Sequence, residues 1–196
     1  MSKESVSADF TPINVTLRGG RKVMLRSIRP DDADALQAAM GRLSGEARYM
    51  RFMAAVKELS PVMLERAVHP LAGRELALVA QADATDDGTE GRIVAGARYI
   101  AGEDLHICEF AIAVTDAWCG SGLASRLMQE LIRSARAHRL KRMEGFILAA
   151  NAPMRKLAKR LGFQVTASDE GPGVVRVVLD LDSPQAYGTS GGQGAA

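Results

Sequence analysis

The sequence predicts an α+β domain, and three observations carry that prediction. Helical segments cluster early, between about residues 31 and 68, and strands dominate the remainder of the chain. A strand, helix, strand unit occupies the centre, from Asp104 to Ala150, and the right-handedness of such crossovers makes 104–114 and 141–150 parallel strands. No internal repeat divides the chain, and 196 residues suit one domain with its own core.

The elements come in this order. Residues 1–14 are polar, so a flexible N-terminus is expected there, with the domain running over 15–182. The stretch KVMLRSIRP (Lys22 to Pro30) alternates apolar and basic residues as a strand does, and Pro30-Asp31-Asp32 ends it and opens a helix through Met40. Two further helices are read at Gly45 to Phe52 and Pro61 to Val68. RELALVAQAD (Arg74 to Asp83) and RIVAGARYIA (Arg92 to Ala101) are strands joined through a polar hairpin turn, ATDDGTEG. After the strand DLHICEFAIAV comes a helix from about Gly120 to His138. Its apolar stripe joins Ala124, Leu127, Met128, Leu131, Ile132 and Ala135, while Arg126, Glu130, Arg133 and Arg136 are expected to face water. A strand over 141–150, a helix in APMRKLAKRL, and closing strands FQVTAS and VVRVVLDL complete the domain. The Gly/Ser-rich end, 183–196, reads as a disordered tail.

Composition excludes several classes. With 47% hydrophobic and 24% charged residues, no apolar run long enough for a bilayer, and a net charge of +2 without basic blocks, neither a membrane nor nucleic acid is an expected partner. The two cysteines, Cys108 and Cys119, have no partners at metal-ligand spacing, and no metal is expected; His69, His106 and His138 form neither a metal site nor a triad. Without a secretory segment in MSKESVSADF, the expected location is the cytoplasm.

The stretch AVTDAWCGSGLASRLMQEL, Ala113 to Leu131, poses the functional question. A helix start leaves four N–H groups unpaired at the positive end of its dipole, and Gly120 and Gly122 remove side chains that would hold an anion away. The amides of Ser121, Gly122, Leu123, Ala124 and Ser125 can then converge on a pyrophosphate, with Ser125 Oγ and Arg126 adding contacts. The alternative is an ordinary tight strand-to-helix turn. A P-loop lacks its Gly-Lys-Ser/Thr here, and the dinucleotide pattern G-x-G-x-x-G ends on Ser125 with no acidic residue closing the next strand.

WCGSGLASRLMQEL, followed about thirty residues later by NAPMRKLAKRLGF, resembles the GNAT superfamily of acyl-CoA-dependent N-acyltransferases from Lys22 to Leu181. The family's motif Gln/Arg-x-x-Gly-x-Gly/Ala falls on Cys119, Gly122 and Ala124, with Cys119 departing from the usual Gln or Arg. The segment IRPDDADALQAAMGRLSGEARYMRFM and the Glu-Phe-Ala run in CEFAIAV are similar to the acetyltransferase domain of bacterial protein-lysine acetyltransferases. The resemblance implies a mixed central sheet with helices on both faces, splayed between the family's fourth and fifth strands, here 104–114 and 141–150. It implies acetyl-CoA as co-substrate, its pantetheine held by the amides of Ile112 and Val114 and its pyrophosphate by Gly120 through Ser125. Family members frequently pair, so a homodimer is one expectation.

Acyl transfer to an amine needs a proton acceptor, and Glu109 is a carboxylate in a strand whose faces are otherwise apolar. Alternation places Ile107, Glu109, Ala111 and Ala113 on one face, where the alanines leave room for substrate, and partial burial should raise the Glu109 pKa. The competing role is a structural pair with Arg98. Asn151 suits the N-cap of the next helix, and the resemblance adds a contact to pantetheine or the amine. The family often has a tyrosine as general acid at the position of Ala158, and no clear substitute is legible. The expected activity is N-acetylation of a primary amine, with a protein lysine as the leading acceptor. A small-molecule amine acetyltransferase, a CoA-binding sensor without catalysis, and an interaction module using the helices around Arg42 to Phe52 remain as alternatives.

Overall fold

The computed structural model describes residues 10–83, 91–103 and 106–183; the expected flexible residues 1–9, most of the hairpin turn, and the tail from 184 lie outside them. Among the described residues eight strands form one sheet in the order β1-β2-β3-β4-β5-β6-β8-β7. They are β1 (Ile13–Thr16), β2 (Lys22–Ser27), β3 (Glu75–Ala82), β4 (Ile93–Ala101), β5 (Ile107–Val114), β6 (Arg142–Leu148), β7 (Gln164–Ala167) and β8 (Val174–Asp180). The α-helices of the described residues that cover it are α1 (Ala33–Gly41), α2 (Gly45–Phe52), α3 (Pro61–Val68), α4 (Leu123–Ala137) and α5 (Ala152–Arg160).

β1 is not announced by the polar N-terminal segment. Its alternation of Ile13 and Val15 with Asn14 and Thr16 is short, but both apolar residues pack on the core and the strand pairs antiparallel with β2, so Ile13 and Asn14 are strand residues. Helix starts follow the residues that cap them. Ser44 accepts from the Ala47 amide at 3.1 Å, Ser60 from Met63 at 3.3 Å, and Asn151 from Met154 at 3.1 Å, each supplying one acceptor to an otherwise unpaired N–H. Ahead of α1, the buried Asp32 accepts from the Arg29 amide and pairs with Arg26 through both oxygens, at 2.7 and 2.8 Å. Those charged hydrogen bonds hold its carboxyl below the usual range against the opposing effect of burial.

The two faces of the sheet carry different layers. α4 and α5 bury Leu127, Leu131, Ile132 and Leu157 in the larger core with Phe110, Met143 and Val177. On the opposite face Ile28, Ala39, Val68, Ala77, Val79 and Ile93 join α1 and α3 to the sheet. Glu130 corrects the expectation that it faces water: it is buried, bracketed on α4 by ion pairs with Arg126 at 2.8 Å and Arg133 at 2.5 Å. The arginines four residues before and three after it lie over its carboxylate on the helix surface.

The central strands are parallel, as the crossover rule requires, but only briefly. Ile107, Cys108 and Glu109 of β5 pair with Arg142, Met143 and Glu144 of β6, and pairing stops there although both strands continue. Phe110 stands at the point of divergence. Its ring meets Phe163 edge-on at 5.3 Å between centroids and occupies the space in which a Cβ on Gly145 would lie, 2.5 Å from Phe110 Cε1. The aromatic ring and the missing side chain thus meet where the two strands part.

Candidate active site

The divergence leaves one edge of β5 without a partner strand. Thr115 N–H donates to Val94 across β4, and successive amides alternate in direction along a strand. The amides of Ile112 and Val114 therefore point the other way, into the gap that β6 has left. Their side chains pack on the larger core, which fixes that orientation.

The turn before α4 lies at the same end of β5. Gly120 and Gly122 have φ of +76° and +92°, conformations that favour glycine, and a Cβ at either would meet nothing within 4 Å. Open space thus faces the turn. Among the described residues the amides of Gly122, Ala124 and Ser125 have no protein acceptor, whereas Leu123 N–H is engaged by Ser121 Oγ at 3.3 Å. That last bond corrects the expectation of an unbroken row of free amides from Ser121 to Ser125. Ser121 is buried and donates to Trp118 O at 2.7 Å, so its hydroxyl shapes the turn from within. Trp118, 1% exposed, lies beneath it, with the Arg21 guanidinium 3.5 Å from its ring centroid. Arg21 also donates to Ala117 O, and the Arg18 amide to Ser121 O at 3.1 Å, so the β1–β2 turn straps the glycine turn from outside. This support was not legible in the sequence, because it joins residues about a hundred positions apart.

The departing positions of the motif behave differently. Cys119 is exposed, and desolvation followed by the Asp116 charge raises its thiol pKa. Arg126 keeps its ion pair with Glu130 while remaining partly exposed. Asn151 uses Oδ1 as the helix cap. Ala158 is buried in the core, so the position expected for a tyrosine contributes no acid. Cys108 is a buried core residue, and burial with the nearby Glu144 charge pushes its thiol up to about 12.

Glu109 sits on the last paired rung, beside Ile100 of β4 and Glu144 of β6, with its side chain exposed to the cleft. Its pKa is raised, chiefly by desolvation and then by the Glu144 charge, with Arg51 pulling in the opposite direction. Arg98 does not pair with it. Arg98 donates to the buried Glu75 at 2.5 Å, and Glu144 is held by Arg176 of β8, which leaves Glu109 without an ion-pair partner among the described residues. Glu144 and Arg51 are the residues that sequence reading missed. Their proximity to Glu109 depends on a three-residue strand register and on the docking of α2, neither of which has a local signal.

Glu109 shares its face with Ala111 and Ala113, and across the rung with Arg98 and Gly96. Gly96, Ala111 and Ala113 floor a cavity of about 360 Å³ roofed by Leu36, Met40, Phe52 and Met63 from the three early helices. It is predominantly apolar and opens toward the Glu109 cleft, with Arg51, Arg98, Ile100 and Ala111 lining both. Among the described residues no cluster of His, Cys, Asp or Glu could hold a metal ion, and no helix is long and apolar enough to cross a membrane.

This arrangement has relatives. Residues 22–164 match the family described as acetyltransferase (GNAT) domain. An acetyltransferase of Pseudomonas aeruginosa is 35% identical over 148 residues, 76% of this chain and 78% of that protein. Acetyltransferase Pat of Mycolicibacterium smegmatis is 30% identical over 94% of this chain, which spans only 53% of its length. The crystal structure of the GNAT domain of S. lividans PAT superposes with a TM-score of 0.78 at 28% identity, covering 88% of this chain and 99% of that one. The family uses acetyl-CoA, and this chain, whose sheet opens between two parallel strands with a glycine turn at the end of the gap, belongs to the GNAT acetyltransferase family.

Proposed function

We propose that the protein transfers the acetyl group of acetyl-CoA to a primary amine with Glu109 as general base, and that a protein lysine is the leading acceptor. The observation that carries the reading is the position of Glu109: an unpaired carboxylate of raised pKa where β5 and β6 part. Acetyl-CoA supplies an activated thioester. The unpaired amides of Gly122, Ala124 and Ser125 suit its pyrophosphate, and those of Ile112 and Val114 suit the amide groups of its arm. Glu109 accepts a proton from the attacking amine, directly or through a water. The new C–N bond forms as the C–S bond breaks, and the thiolate leaves without a protein acid at Ala158. The lysine acceptor rests on the likeness to the Pat-type domains, whereas the apolar cavity beside the cleft favours a small-molecule amine as a second reading.

Thermal unfolding with acetyl-CoA, with NAD as control, tests the cofactor site. A ligand at a hundred times its Kd stabilises the folded state by about 2.7 kcal/mol. A rise in melting temperature with acetyl-CoA alone is the expected result. No rise, or an equal rise with NAD, would remove the phosphate role of the glycine turn. Release of CoA with an amine acceptor then separates an enzyme from a CoA-binding sensor.

A further inference from the structure

Arg51 is a cation out of place. It lies near the end of α2, on the wall shared by the apolar cavity and the Glu109 cleft, and α2 leans on β5 there. Among the described residues no carboxylate or carbonyl accepts from its guanidinium, which lies 4.7 Å from the centroid of the Phe52 ring. Arg98 faces the same junction. One of its terminal nitrogens is taken by Glu75, but its Nε is buried without a hydrogen-bond partner. Two guanidiniums thus border one pocket, and burial first, then the nearby Arg98 charge, make Arg51 harder to keep charged there. Arg51 is half-buried and the Arg98 Nε fully buried, and cations at such a wall are stabilised when an anion completes them.

The other charges around the pocket are paired or solvated. Glu144 is held by Arg176, and Glu75 by Arg98, while Glu103 and Arg66 on the outer walls are exposed to water. Glu109 attracts Arg51 through space without forming an ion pair, and as the base it has to remain free for the incoming amine. What is left over is a carboxylate suited to an ammonium, a guanidinium suited to an anion, and an apolar cavity beside both.

We infer that Arg51, assisted by Arg98, is the specificity-determining residue of the acceptor site and binds a carboxylate carried by the acceptor close to its reactive amine, while the acceptor's apolar body enters the cavity under α1–α3. The planar fork of arginine suits a carboxylate through two parallel N–H donors. The reactive amine is thereby directed toward Glu109. A free amino acid with an apolar side chain carries this chemistry, and so does a lysine flanked by an acidic residue in a protein. This inference rests on the acetyl-transfer reading above for its orientation of the amine.

The test pairs acceptors that differ only in the carboxylate, using the full chain and acetyl-CoA with CoA release as readout. L-Methionine is compared with 3-(methylthio)propylamine, L-phenylalanine with phenethylamine, and a lysine peptide bearing an adjacent aspartate with the same peptide bearing asparagine. In at least one pair the carboxylate member should be preferred in kcat/KM by about 10–150-fold, the range for a hydrogen bond to a charged group. The peptide and free amino-acid arms tell which source is used. Arg51→Met should remove the preference by raising KM for the carboxylate member, and Arg51→Lys should restore part of it. Equal use of both members in every pair would overturn the inference, as would an Arg51→Met loss that falls equally on both. Calorimetric binding of N-acetyl-L-methionine and of N-acetyl-3-(methylthio)propylamine, each with CoA present, gives the same comparison without turnover. Glu109→Gln separates the two claims. Intact turnover with the carboxylate preference kept would remove the base and leave Arg51 in place; lost turnover with no preference in wild type would do the reverse.

Discussion

Replacing Glu109 with glutamine is expected to lower kcat/KM by about 10²–10⁴-fold, the usual contribution of a general base, while raising the melting temperature at neutral pH. The two effects have one cause. Desolvation and the Glu144 charge raise the Glu109 pKa in the folded protein, so its ionised form is less comfortable there than in the unfolded chain. For a carboxylate with a raised folded value, the contribution to stability is fully present below the unfolded pKa of about 4.3 and is lost as pH rises through the folded value. Glutamine abolishes that loss. The stability gain should therefore be visible at pH 7 and vanish in acid, which melting curves across pH will read. Activity should depend on pH in the opposite sense, rising as Glu109 ionises. Glu144→Gln removes a neighbouring negative charge, so the acidic limb of the kcat/KM profile should move to lower pH; an unmoved limb would mean that another group titrates there. Glutamine at 109 with full activity would remove this carboxylate from the base role.

Much of the scaffold was legible because it is written in local patterns. The apolar stripe of α4 predicted its buried face, Asn151 caps the helix it was expected to cap, and the handedness of the central unit gave a parallel pair before any register was known. The glycine turn was equally legible, since positive φ demands particular residues. The charges were not. Nothing in Arg126 or Arg133 says that they enclose Glu130, and polarity alone assigned that residue to water. Arg98 was a reasonable partner for Glu109 on the next strand, yet Glu75 on its other side captured it. Which of two flanking carboxylates an arginine chooses depends on burial and rotamer, and the sequence encodes neither locally. β1 was missed for a related reason: four residues give too short an alternation, and its stability comes from pairing with β2.

Phe110→Ala is expected to lower stability by about 3–5 kcal/mol, as truncation of a buried aromatic does. In a chain of this size each kcal/mol moves the melting temperature by about 2–4 °C. The loss should be of more than packing if the ring, which sits where β5 and β6 part, keeps them apart. It is 6% exposed, braced by Phe163, and fills the place of the side chain that Gly145 lacks. Gly145→Ala attacks the same contact from the other strand. Its Cβ would lie 2.5 Å from Phe110 Cε1 and 2.6 Å from Cζ, and the braced ring cannot swing clear at little cost, so about 1–3 kcal/mol of overpacking results. Combined, the two changes should be far from additive: the space vacated by the ring accepts the new methyl group, and Gly145→Ala should cost little once Phe110 is gone. A double-mutant cycle from melting curves measures that coupling, and simple additivity would show that ring and glycine do not act as a unit. The functional consequence should accompany it. With the ring removed, β6 can approach β5 beyond Glu109, and the amides of Ile112 and Val114 then turn toward a strand instead of an open gap. The stabilisation by acetyl-CoA should shrink in Phe110→Ala even at temperatures where the variant is fully folded, because the protein must part its own strands before the arm can enter.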